Sequence, residues 1–201
     1  MRKAIVIMIA MILVSATLSA QALTLSVHAN TFTADNEDFK SIYGTGKLLP
    51  ELKLSIRVMN NLYLWGSYSQ LNSTGIDPLS YKEAESTRDF IAGGLMYRLG
   101  FIEEGEFAVK AELGVVSISD EEDIEGDIKE GSGIGFQVGL GVTYGFWKRF
   151  YVEGSFSYNY AAAEIDGFTQ RLGGIRFGLG LGFFLGGNDV KVPAPKPAQE
   201  Q

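Results

Sequence analysis

The single histidine, His28, stands two positions from Ser26, and a Ser, a His and an acid such as Glu153 are the parts of a nucleophile, base and acid set. Ser155 is a second candidate nucleophile beside the same glutamate. A chain with many serines supplies such combinations by composition, so the favoured reading of His28 is a hydrogen-bonded interior histidine, and of the protein a non-enzyme. The run Asp120-Glu121-Glu122-Asp123-Ile124-Glu125-Gly126-Asp127 offers oxygen ligands for Ca²⁺. It lacks the alternating ligands, the glycine at the sixth position and the terminal glutamate of an EF-hand loop, so it reads as a solvated acidic loop. Gly44-Thr45-Gly46-Lys47 has neither the spacing nor the strand-to-helix context of a phosphate loop. No metal or cofactor is expected. The absence of cysteine excludes disulfides and thiolate sites, and 24 acidic against 17 basic residues argue against nucleic acid as a partner.

A second set of charged residues has a different logic, because its members recur at alternate positions. Glu51, Lys53 and Arg57 share one parity, as do Lys110 and Glu112; Arg98, Glu153 and Arg176 fall among small residues on the same kind of face. Charges of both signs enclosed by a narrow wall must pair, since an isolated buried ion costs several kcal/mol or more. These eight residues are therefore expected to form an ion-pair network that fills and stiffens an interior. Eight strands enclose little more than their own side chains, so an open pore is not expected.

The wall that would carry them is written in Gly133 to Ala161. Ile134, Phe136, Val138, Leu140, Val142, Tyr144 and Phe146 alternate with Gly135, Gln137, Gly139, Gly141, Thr143 and Gly145, a strand period far longer than the usual ~5–6 residues. After a turn at Gly145 to Arg149 the pattern resumes, with Phe150, Val152, Phe156, Tyr158 and Tyr160 against Tyr151, Glu153, Ser155, Ser157 and Asn159. A tilted strand crossing a bilayer needs roughly 9–11 residues, so this reads as a transmembrane hairpin. The glycine and serine face suits a crowded interior, which makes Phe136, Val138, Leu140, Val142, Leu179 and Leu181 lipid-facing. Tyr144, Phe146, Trp147, Phe150 and Tyr151 at the turn, and Phe156, Tyr158 and Tyr160 at the far end, read as interfacial girdles. Trp65 and Trp147 read by residue type as interfacial anchors.

Residues 1–22 have the basic start, apolar core and Ala20-Gln21-Ala22 site of a signal peptide, and the apolar run is too short for a membrane-spanning helix. Strands are then expected at Leu23–Thr33, Leu49–Val58, Leu62–Leu71 and Asp89–Leu99, from Phe107 to Val115, over the central hairpin, and finally up to Leu185. In the third strand two phases compete; Leu62, Leu64 and Tyr68 outward is favoured because it leaves Ser67 and Ser69 inside. Connections alternate: tight at Met59–Asn61, Gly100–Gly105 and Gly145–Arg149, long and polar at Ala34–Lys47, Asn72–Thr87, Asp120–Glu130 and Ala162–Phe168. The expected class is all-β, an eight-stranded antiparallel transmembrane up-and-down barrel over 23–186, with a Pro-rich periplasmic tail at 187–201.

On these features the chain resembles the small eight-stranded outer-membrane barrels of Gram-negative bacteria, the group of the OmpA transmembrane domain, OmpX and the opacity-type porin-like proteins. Gly174-Ile175-Arg176-Phe177-Gly178-Leu179-Gly180-Leu181-Gly182-Phe183-Phe184-Leu185-Gly186 resembles their closing strand, although here a tail follows it. The resemblance implies the cell outer membrane as location and outer-membrane lipid, lipopolysaccharide and the assembly machinery as partners. It further implies a monomer with a structural or surface-interaction role, and loops open to an extracellular ligand. Two rival readings are a lipid A-modifying barrel enzyme, which needs Ser, His and acid to converge, and a soluble lipocalin-like ligand-binding barrel, which needs the apolar face turned inward.

Overall fold

A computed structural model describes residues 23–78, 81–100, 105–124, 126–147, 149–165 and 168–185. The expected signal peptide, 1–22, and tail, 187–201, lie outside the described residues. The elements in chain order are β1 (Leu23–Ala34), α1 (Glu37–Tyr43), β2 (Lys47–Met59), β3 (Leu62–Ile76), β4 (Glu83–Leu99), β5 (Phe107–Ile124), β6 (Asp127–Trp147), β7 (Phe150–Ile165), β8 (Phe168–Arg171) and β9 (Gly174–Leu185). Each long strand pairs antiparallel with its chain neighbour, β7 pairs with β9, and β9 returns to β1 from Leu23↔Leu185 to Ala34↔Gly174. Eight strands therefore close into a barrel, and the short β8 lies outside the circuit, hydrogen-bonded to the end of β7. Closure leaves no free edge along the wall, the condition for a sheet surrounded by hydrocarbon.

The two ends differ. At the turn end, Asn60 takes a positive φ of 34° between β2 and β3, and β6 reaches Trp147 before the chain reverses into β7. At the loop end the strands run further than alternation foretells. The acidic run 120–130 is the tip of the β5–β6 hairpin, paired from Asp120↔Gly131 to Ile124↔Asp127 and reversed at Gly126 with φ 89°. The polar stretch 72–87 is likewise mostly β3 and β4 in register from Asn72↔Thr87 to Ile76↔Glu83. Beyond the apolar zone the outward face turns polar while the inward face stays buried at Ser73, Ala84, Ser86 and Arg88, several of them polar, so the two-residue hydrophobic period fades while the backbone ladder continues. The stretch 34–47 contains α1, begun by Asn36, whose side chain accepts from the amides of Asp38 and Phe39, and ended at Gly44 with φ 79°.

Alternation then sorts the side chains. Val27, Leu52, Leu64, Ile91, Leu95, Val109, Leu113, Phe136, Val138, Leu140, Val142, Val152, Leu179 and Leu181 are exposed on the outside, while Ser, Gly and charged groups fill the inside. From Ile134 to Tyr144, about ten residues of β6 at ~3.3 Å each and a tilt near ~40° span ~25 Å along the axis. That matches the height of the apolar band on a membrane barrel, and an apolar belt this extensive is foreign to a soluble monomer. The lipocalin-like alternative, which needs the apolar face inside, is thus reversed by the placement of these residues. The interior has two tiers: polar and charged toward the turn end, and apolar toward the loop end, where Phe32, Leu49, Leu71, Phe90, Val116, Ile118 and Leu172 pack with Phe39 and Tyr43 of α1.

Candidate functional site

The polar tier is built around Glu112 on β5. Lys53 on β2 donates to both of its carboxylate oxygens, at 2.6 and 2.5 Å, and Lys110 on β5 donates to Oε1 at 2.6 Å. Lys110 also pairs with Glu153 on β7. Three strands are thereby joined across the lumen by a chain of alternating charge. Lys53 additionally lies over the Trp65 ring, 4.6 Å from its centroid, and Glu51 on β2 accepts from Asn30 Nδ2 at 2.9 Å. Arg176 on β9 sits 4.3 Å from the Phe90 ring centroid, and with the Asn159 amide turned to suit, Arg176 Nε donates to its oxygen at 2.8 Å. Arg98 on β4 covers the Tyr63 ring at 4.4 Å, whereas Arg57 is half-buried toward the turn end of β2.

Glycine makes the space. A Cβ on Gly141 would stand 2.6 Å from Cε of Lys110, and one on Gly180 would stand 2.4 Å from Nδ1 of His28. In both cases the long side chain lies over the bare backbone of its cross-strand partner on the neighbouring strand, Lys110 opposite Gly141 and His28 opposite Gly180, which is how a narrow lumen holds several of them.

His28, Ser26 and Glu153 meet, but not as a relay. Ser26 Oγ lies 2.9 Å from His28 Nε2, and Glu153 Oε1 lies 3.7 Å from the same nitrogen. Nδ1, which a catalytic acid would have to hold, has no partner. Ser155 shares the inward face of β7, in register with Gly141 and Gly178. Among the described residues no group of three or more His, Asp or Glu is placed to hold a metal ion.

Two aromatics depart from the girdle assignment. Trp65 faces the lumen, buried, its Nε1 donating to the Leu95 carbonyl at 3.0 Å; Tyr151 is also buried inside. Both belong to the inward parity of their strands, and parity overrides the preference of the residue type. Trp147 and Phe150 are on the outside, stacked with centroids 5.6 Å apart.

The loop-end mouth carries polar contacts that the alternation did not reveal. Arg88, buried on β4, pairs with Asp120 Oδ2 at 2.5 Å, donates to the Leu172 carbonyl at 3.1 Å and lies 4.3 Å from the Phe39 ring centroid of α1. Tyr43 donates to Glu122 at 2.7 Å; burial first, and then this bond to a carboxylate, push its hydroxyl pKa far above the ordinary value. The signal for Arg88 was available, since it shares the parity of Arg98, but it lay beyond the apolar alternation that marked the strand.

A closed antiparallel barrel of eight strands, apolar outside and charged within, defines the class of small outer-membrane barrels, and the chain has that fold. Solved structures that share it include Neisserial surface protein A (NspA), 12% identical with a TM-score of 0.59, and the N-terminal β-barrel domain of Pseudomonas aeruginosa OprF, 14% identical at 0.54. A third is Ail, the attachment invasion locus protein of Yersinia pestis, solved in complex with the heparin analogue sucrose octasulfate, 14% identical at 0.52. Each superposition covers 82% of this chain and 97% of the other. At such identities the likeness is one of fold. No family model matches the chain, and no curated protein matches it in sequence.

Proposed function

We propose that the protein is a non-enzymatic barrel of the Gram-negative outer membrane, with a closed lumen and a structural or surface-interaction role exercised by its loop-end hairpins. One observation carries the reading: the barrel is inside out relative to a soluble protein, with its apolar belt exposed and its ions enclosed. The even strand number keeps both barrel termini on one side; in this reading the turn end faces the periplasm and the long hairpins face outward, as short turns and longer loops do on membrane barrels. In this reading the ion pairs Lys53–Glu112, Lys110–Glu112 and Lys110–Glu153 plug the lower lumen, and the apolar tier under α1 seals the upper. β9, with Phe183 and Phe184 just before its end, is the part that the assembly machinery would read, outer-membrane lipid and lipopolysaccharide surround the belt, and the barrel works as a monomer. Because the hairpin tips are acidic, a polyanion of the kind bound to Ail suits them poorly.

Two measurements test this. Outer-membrane fractionation with heat-modifiable gel migration should find a folded form that shifts on boiling, and recovery in the soluble fraction would overturn the location. Purified protein in planar bilayers should give no steady conductance. Reproducible open-channel steps abolished by a lumen-charge substitution would make it a pore.

A further inference from the structure

We propose that the apolar belt holds a seat for one acyl chain of a phospholipid, formed over Gly154 and Ala29. The outward positions Val142, Gly154, Leu179 and Ala29 stand in register across β6, β7, β9 and β1. Cross-strand neighbours normally shield one another. Leu179 has only glycine on one side and alanine on the other, and it is 75% exposed, more than Leu140 or Leu181 in the same belt. A Cβ added to Gly154 would meet only Cδ2 of Leu179, at 3.9 Å, so the space over this glycine is open. The result is a groove of ≈ 810 Å³ on the outer wall, with Leu140, Val142, Phe156, Phe177 and Leu179 as its bulky sides.

The groove has a blocked end and an open one. Toward the loop end Phe156 and Phe177 stand across it, their ring centroids 4.9 Å apart. Toward the turn end it continues past Val152 and Leu181 to Phe107 and Tyr144, whose rings pair at 4.7 Å. From Leu181 to Phe177 is four steps along β9, or ~13 Å at ~3.3 Å per residue. A void beside the wall would forfeit dispersion contacts, so hydrocarbon fills it. Among its side chains nothing charged faces out, and in a bilayer a protein partner gains no hydrophobic driving force and depends on close packing and polar contacts. A flexible chain entering from the turn-end interface, its methyl end against Phe156 and Phe177, meets protein on three sides instead of one. The inference rests on the membrane topology proposed above, in which the turn end is periplasmic and the chain therefore belongs to a phospholipid of that leaflet rather than to lipopolysaccharide.

The test mixes the full barrel in neutral detergent with dipalmitoyl phosphatidylethanolamine, removes excess lipid by gel filtration and counts bound lipid by native mass spectrometry. The native chain should retain one phospholipid, saturably. G154V fills the groove where only Leu179 stands near, so it should fold, as heat-modifiable migration will show, and lose the lipid. G66A, on the outward face of β3 away from the groove, should keep it. No retention by the native chain, or undiminished retention by folded G154V, overturns the seat. An equal loss in G66A would assign the lipid to the belt at large and also overturn it. Retention of lipid A in place of the phospholipid would refute the assigned source. Cross-linked dimers present in the native chain and absent in G154V would give the groove to a second copy and refute the lipid. Failure of the membrane location would show separately, as recovery of the protein in the soluble fraction, and would remove the seat with it.

Discussion

Replacing Glu112 by Gln should be among the most damaging single changes in the lumen, and replacing Lys53 at the same time should restore most of the loss. The Glu112 side chain is 4% exposed and takes both Lys53 and Lys110. E112Q leaves Lys53 with no carboxylate in ion-pairing contact among the described residues, while Lys110 keeps Glu153. Removing one partner of a buried pair costs about 3–5 kcal/mol, whereas replacing both by apolar groups of similar volume is often neutral. E112Q is accordingly expected to lose about 3–5 kcal/mol and E112Q/K53M about 1 kcal/mol or less. E112Q/K110M should recover nothing, because it strands Lys53 and strips Glu153 of its lysine. Equilibrium urea unfolding in lipid vesicles, followed by tryptophan emission, reads all three, and Trp65 beneath Lys53 gives a local signal. If E112Q/K53M is no more stable than E112Q, or if the Lys110 double variant recovers better than the Lys53 one, the charges are not coupled as these distances imply.

Leu140, 59% exposed in the belt, should cost about 2–4 kcal/mol as L140R if it lies near the bilayer midplane, measured by the same unfolding assay. Gly94→Ala would place a Cβ 2.1 Å from the Leu113 carbonyl oxygen and should fold poorly, whereas Gly66→Ala, 3.7 Å from its nearest atom, should fold normally; gel migration separates them. In single-tryptophan variants, brominated lipid should quench Trp147 strongly and Trp65 weakly, since Trp65 is enclosed. An epitope inserted at Gly126 should be reached on intact cells and one at Gln201 should not; the opposite result would invert the proposed topology.

The belt was legible because a two-residue period is local: Phe136, Val138, Leu140 and Val142 declare their shared side without knowledge of any partner strand. The parity of Lys53, Lys110 and Glu112 was legible for the same reason. Which of them touch was not, because that depends on barrel register and on how far each lysine reaches across a glycine such as Gly141. Trp65 shows two local signals in conflict, one from residue type and one from phase. Arg88 and Asp120 were hidden by their setting: once strands leave the apolar zone, alternation no longer distinguishes wall from loop. The helix α1 was missed because seven residues with two buried aromatics, Phe39 and Tyr43, carry too short a pattern to stand out.

The pairing of β1 with β9 joins the two ends of the barrel sequence, with Leu23 opposite Leu185. Such a contact has nearly the largest loop-closure entropy that the chain can offer, so it cannot nucleate folding and must be among the last ladders to form. Until then β1 and β9 each present a full row of unpaired amides and carbonyls, which water tolerates and hydrocarbon does not. In the proposed membrane setting insertion and closure are therefore coupled, and truncation within β9 should leave an open edge that hydrocarbon does not tolerate.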